Sequence, residues 1–256
     1  MTKQSVLWRA IHWPGHEACS LYRHDYEWRL EGTAVFLHEG KTCCVSYVIT
    51  CDQIWRTRSA VVSGLVRDED VHLELSIDAH HRWLVNGVAK PAVEGCVDLD
   101  LNFSPSTNLL PIRRLNLEIG QQAEVNAAWL RFPSFDLVPL SQIYERLGEF
   151  RYRYSSGGGD FVAELTVNRV GFVMVYPQLW EVEGSDWVSV RDPIRILKSR
   201  GPESRMPRMF NFLARVLVEA DRLPHAVQVA VDCRSLHVHG FFLMRVSSVV
   251  SLLIRD

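Results

Sequence analysis

Two aspartates on alternate positions, followed further along by two adjacent arginines, are the groups whose types and spacing could do chemistry. They are Asp98, Asp100, Arg113 and Arg114 in "CVDLDLNFSPSTNLLPIRR", residues 96–114. Carboxylates at i and i+2 of a strand share a face about 6–7 Å apart, a separation that acid and base pairs use. Paired guanidiniums suit a carboxylate, phosphate or sulfate on a ligand. Plainer readings stand beside these. The aspartates also fit the polar half of an ordinary strand, solvated or ion-paired, or a polar end facing a ligand. A second pair, Arg56 and Arg58 in "DQIWRTRSAVV", shares a strand face opposite Trp55 and Thr57. It either joins a ligand site or pairs with Asp52, Asp98 and Asp100 across a sheet.

Other chemistries find little support. Gly157, Gly158 and Gly159 lack the Lys and the following helix of a phosphate loop, and read as a hairpin tip. There is no G-x-S-x-G, and no cysteine-protease signature surrounds a Cys. His12 and His16 are separated by Pro14-Gly15, and "HVH" at 237–239 has no evident third ligand. No metal or cofactor is expected. The aromatic residues, among them Tyr176 and Trp180, either line an apolar cavity or form plain core.

The elements that must position these groups are strands. "TAVFLHEGKTCCVSYVIT" reads as two strands around a His38-Glu39-Gly40-Lys41 turn, and "VHLELSID" alternates strictly. Asn86-Gly87 signals a tight hairpin, and "FRYRYSSGGGDFVAELTV" reads as another. "GFVMVYP" (171–177) suits a strand covered on both faces. In residues 96–114 the alternation stops at Ser104-Pro105, and "LLPI" reads as an apolar turn. Only "PLSQIYERLG" (139–148) reads as a short helix, with Ile143, Tyr144 and Leu147 on one side. An antiparallel meander curled into a barrel or roll follows, because curling hides the sheet edges.

The chain has 256 residues, 47% hydrophobic and 23% charged, with a formal net charge of −2. That composition is globular and makes no case for nucleic acid as a partner. No run is long and apolar enough for a transmembrane helix, and no export signal is visible at the start, so a cytoplasmic protein with reduced cysteines is expected. The composition shifts near residues 188–206. All eight Trp and seven Tyr precede 188, and residues 191–256 hold 11 Lys and Arg against 6 Asp and Glu. The expected division is a β domain over 1–190 and an extension over 191–256, with an amphipathic helix at 207–222 or little order. The extension reads as a fused segment, a subunit-contact element or an out-of-frame tail.

The order of "GTAVF", "DQIWRTRSAVV", "WLVNG", "GCVDLDLNFSPSTNLLPIRR", "AAWLRFP", "YERLGEFRYRY" and "VYPQLW" closely resembles the bacterial putative glycolipid-binding family, once a domain of unknown function. The resemblance covers about residues 5–188 and is most specific at 95–114. It implies a mainly β fold, an antiparallel spiral β-roll wrapped around a single helix, found as a homodimer and similar to the Lol lipoprotein carriers. It implies a non-enzymatic protein holding an acyl chain or glycolipid on a curved sheet. Trp55, Arg56, Arg58, Asp98, Asp100, Asn108, Arg113, Arg114, Tyr176 and Trp180 are then the expected ligand-binding residues. Two alternatives stand: a small sugar- or lipid-acting enzyme using Asp98 or Asp100, and a structural dimerisation module.

Overall fold

Alternation of buried and exposed side chains runs through most strands of the computed structural model, which describes residues 3–185 apart from 79 and 81. The first strands are β1 (Gln4–Ala10), β2 (Gly15–His24), β3 (Glu27–His38), β4 (Lys41–Cys51), β5 (Thr57–Val66), β6 (Glu69–Ile77), β7 (Trp83–Val85) and β8 (Val88–Ala89). In β4, Cys43, Val45, Tyr47, Ile49 and Cys51 are buried while Thr42, Cys44 and Val48 face out. Glu39-Gly40 and Asn86-Gly87 make the expected two-residue hairpins, all four residues at positive φ, which this turn requires to match the strand twist.

Beyond β8 the chain passes through β9 (Asp98–Leu101), a 3₁₀ turn (Ser106–Asn108) and the one α-helix of the described residues, α1 (Leu109–Leu115). It then builds β10 (Gln122–Leu130), β11 (Leu137–Gly148), β12 (Arg151–Ser156), β13 (Phe161–Val167), β14 (Val173–Tyr176) and β15 (Trp180–Ser185). All fifteen strands of the described residues form one sheet, ordered β8-β7-β6-β5-β4-β3-β2-β1-β15-β14-β13-β12-β11-β10-β9. Two meanders therefore meet where β1 pairs with β15. Every pairing is antiparallel except that of β9 with β10.

The sheet is open rather than barrelled, with edges at β8 and β9, and it curls into a spiral roll. The curl is visible where β9 meets β5, far away in the strand order. Thr57 N donates to Val97 O at 3.3 Å, and Leu99 N donates to Thr57 Oγ1 at 3.1 Å. Inside lies α1, with Leu109, Leu110, Pro111 and Ile112 buried, among the fully buried rings of Trp8, Tyr47, Trp83, Phe103, Tyr144 and Phe172. Burying each such side chain contributes about 1.5–3 kcal/mol, so the filled interior is the main term holding the curl.

Three sequence expectations are corrected. Residues 139–148 are not a helix but most of β11, paired with β10 as far as Glu145 and with β12 from Gln142 onward. Pairing on both edges overrides a weak helical signal, and Tyr144 turns inward while Ile143 turns outward. The helix is instead "LLPIRRL", read from sequence as an apolar turn. Pro111 sits in its first turn, where the backbone N–H has no intrahelical acceptor and its loss costs nothing. Finally, β14 is covered on one face only: Val173 and Tyr176 are buried, and Val175 is 45% exposed. The boundary near 190, the 207–222 helix and "HVH" lie outside the described residues.

Candidate functional site

Every polar side chain on the aspartate face of 96–102 has a partner. Asp98 is buried and receives both Arg114 Nε at 2.9 Å and Arg114 Nη2 at 2.5 Å. Burial still raises its pKa, against the pull of the guanidinium. Asp100 accepts from Gln142 Nε2 at 2.5 Å, and Asn102 Oδ1 accepts from Phe132 N at 3.1 Å. Burial, with Asp98 adding to it, pushes the Asp100 carboxyl up to about 6. Of the expected readings of this face, ion pairing holds at Asp98, which is buried; Asp100 is half-buried and Asn102 is exposed.

The small polar residues that follow lock α1 into the roll. Thr107 Oγ1 accepts from Leu101 N at 3.2 Å, and Tyr144 Oη donates to Asn108 Oδ1 at 2.9 Å. Ser104 Oγ and Tyr47 Oη both donate to Glu17 Oε1 at 2.6 Å, and Ser106 Oγ lies 2.7 Å from each of these hydroxyls. Glu17 is completely buried, and desolvation pushes its carboxyl up to about 8. The sequence reading missed Glu17. The available signal was its place on the inward phase of β2 with Cys19 and Leu21.

The remaining expected site residues do not gather at one mouth. Residues 53–56 form a turn rather than a strand. Asp52 Oδ1 accepts the N–H groups of Ile54 and Arg56, and Trp55 takes a positive φ of 69°. Arg58 pairs with Asp52 at 2.9 Å, and the Arg56 side chain is exposed. Tyr176 packs against Tyr154 and Phe161, whereas Trp180 packs against Trp13. Burial raises the Tyr154 and Tyr176 hydroxyl pKa values, and the Asp100 charge adds to this. Trp55 and Arg113 do meet, the guanidinium lying 5.1 Å from the ring centroid.

Arg113 also lines a cleft of about 260 Å³ where the C-terminal end of α1 faces the start of β12 and the 168–171 turn. Arg146, Arg169, Asn116, Asn168 and Tyr152 share this wall, and Glu149 is the one carboxylate on it. The parts are held in place. Asn168 Oδ1 accepts the N–H groups of Val170, Gly171 and Phe172, each at 3.0 Å. Gly171 has φ 106°, which favours glycine in this turn, and a Cβ there would crowd Arg113 Cδ at 3.2 Å. Arg146 donates to the carbonyls of Leu117 (2.7 Å), Gly148 (3.2 Å) and Glu149 (3.1 Å). Apart from Arg113, and Tyr152 as one of the aromatic residues that could line a cavity, none of these residues was singled out from sequence. The side chains of Arg146 and Asn168 are held by backbone atoms, which carry no sequence signal.

These features define the class of protein: an open spiral sheet around one short helix, with a basic cleft at the helix's end. Residues 5–182 match the profile of the family described as "Putative glycolipid-binding". The chain belongs to that family. It is also similar to a crystal structure of a DUF1089 family protein from Pseudomonas aeruginosa, with 32% identity and a TM-score of 0.57, covering 64% of this chain and 91% of that one. No curated protein matches. Among the described residues, no helix is long and apolar enough to cross a membrane.

Proposed function

We propose that the protein binds an amphiphile without chemically altering it, and that the cleft at the end of α1 takes the ligand's polar headgroup. The observation that carries this is the cleft itself, a concave, donor-rich site of about 260 Å³. Asp98, by contrast, is spent on Arg114. Sites that enclose a whole ligand measure about 300–1,000 Å³. The cleft therefore suits a headgroup whose acyl chains stay outside, and around α1 the interior is filled by Phe103, Leu109 and Tyr144. The family's description as glycolipid-binding supports the same reading.

The test is flotation of the full chain with vesicles containing a glycosyl diacylglycerol or a phosphorylated glycolipid, followed by mass analysis of the lipid. The expected result is co-flotation with the lipid recovered unchanged; no association with either vesicle would overturn the reading. A second reading, an enzyme using Asp100 as general base, has one observation in its favour: a carboxyl pushed up to about 6 on a partly exposed residue. Release of the headgroup in this assay, lost in Asp100→Asn, would establish it.

A further inference from the structure

The cleft's charge is lopsided in a way that headgroup binding alone does not require. Three arginines line it against a single glutamate, and among the described residues Arg113, Arg146 and Arg169 have no carboxylate within ion-pair distance. Elsewhere Arg9 pairs with Glu181, Arg58 with Asp52, Arg67 with Glu39, Arg82 with Asp78 and Arg153 with Glu145, and the arginines without such a pair, such as Arg56 and Arg131, do not share one cleft wall with two others.

Two of the unpaired charges, those of Arg113 and Arg146, act on one group. The buried Tyr152 hydroxyl, its pKa raised by desolvation, sits in the field of both Arg146 and Arg113, and the Arg146 guanidinium lies 5.8 Å from its ring centroid. The carbonyls that would repel an anion here, those of Leu117, Gly148 and Glu149, are each turned onto Arg146. That leaves the guanidinium with N–H groups to spare out of its five. Asn168 adds an independent observation. Its oxygen is used up by three backbone N–H groups, which fixes the carboxamide. Its Nδ2, at the cleft wall, is buried without an acceptor. An unsatisfied buried donor is costly, and an oxygen-rich anion in the cleft is the chemistry that relieves it after a small shift of the wall. With Arg113 lying against the Trp55 ring and Arg146 held by three carbonyls, little side-chain ordering remains to be done on binding.

We infer that the cleft is an oxyanion site, and that the headgroup it takes carries a phosphate ester. Arg169 and Arg113 meet the anion, Arg146 supplies fixed charge, and Tyr152 and Phe150 flank the sugar or polyol that bears the phosphate. The inference rests on the proposed headgroup site and adds its charge.

The test separates the two. Binding of glucose 6-phosphate and of glucose to the full chain is measured by calorimetry. Flotation is measured on phosphatidylcholine vesicles carrying either phosphatidylinositol or a neutral glucosyl diacylglycerol. Glucose 6-phosphate and the phosphatidylinositol vesicles should bind, and glucose and the neutral vesicles should bind more weakly. Arg169→Glu, at an exposed turn position, should weaken both phosphate-bearing probes about tenfold. Asn168→Asp keeps the oxygen that holds the turn and exchanges the idle donor for a negative charge, so it should do the same. Arg131→Glu makes an equal charge change at the far end of β10 and should not. Equal binding of neutral and phosphorylated probes, unmoved by both cleft variants, would overturn the oxyanion inference and leave the headgroup site standing. Glucose 6-phosphate binding without vesicle binding would uphold the oxyanion site and overturn the amphiphile reading. Failure of every probe would overturn both.

Discussion

A carboxylic acid at the centre of the roll makes stability depend on pH in a direction opposite to that of most surface acids. Glu17 is fully buried, its carboxyl pushed up to about 8 by desolvation, with Tyr47 and Ser104 pulling the other way. In the unfolded chain it titrates near 4. Between those values the folded state holds one more proton than the unfolded state, so stability falls as pH rises and levels off above about 8. Asp100, pushed up to about 6, acts in the same sense at lower pH. Urea midpoints should therefore drop from about pH 6.5 to about pH 8.5, at no more than about 1.4 kcal/mol per pH unit. Glu17→Gln should flatten most of that slope. An unchanged slope in the variant would show that Glu17 is ionised in the folded protein. The Asp98–Arg114 pair is a different case. Such buried pairs contribute little net stability but cost about 3–5 kcal/mol when one partner is removed. It is better understood as a registration device holding α1 against β9.

At the scale of elements, α1 is short for a helix that stands alone. Seven residues are well below the length at which an isolated helix is stable in water. It exists because Leu109, Leu110 and Ile112 are buried and because Asn108 and Thr107 are tied to Tyr144 and Leu101. Leu109 also packs beside Gly171, where the cleft begins. Leu109→Ala should cost about 2–5 kcal/mol, as buried leucines do when a cavity is left, read as a lower urea midpoint with unchanged slope. A loss under about 1 kcal/mol would mean that the site collapses freely and that α1 is not held by packing. Strand β3 shows the same dependence on close approach. Gly32 lies opposite Tyr47, and a Cβ there would meet the phenol oxygen, so glycine leaves room for the hydroxyl that reaches Glu17.

For the molecule as a whole, the question is how an open sheet of fifteen strands stays curled. Its edges are short, two residues in β8 and four in β9, which limits edge-to-edge pairing with other chains. The curl is latched where Thr57 bridges β5 to β9 through one backbone and one hydroxyl bond. Thr57→Val keeps the shape and leaves the buried Leu99 N–H without an acceptor. It should cost about 1–3 kcal/mol and speed hydrogen exchange at Leu99 ahead of the β3–β4 ladder. Equal protection of Leu99 in both proteins would show that packing alone holds the roll.

The sequence by itself determined the strands, the hairpins and the family. Period-two alternation, Asn-Gly and Glu-Gly turns and the block at 96–114 are local patterns, and local sterics read them the same way in any context. It also showed that this block is special, but not why. Whether Asp98 and Asp100 face water, a ligand or protein partners depends on what comes to lie beside them, and that is Arg114 of α1 for the first and Gln142 of β11, some forty residues later in the chain, for the second. Residues 109–115, read as a turn, and 139–148, read as a helix, were misread for the same reason: burial of three apolar residues makes the first a helix, and two neighbouring strands make the second extended. The cleft was least legible of all. Arg146, Asn168 and Gly171 are held by carbonyls, amides and one glycine's missing side chain, and only the tertiary structure brings such partners into contact.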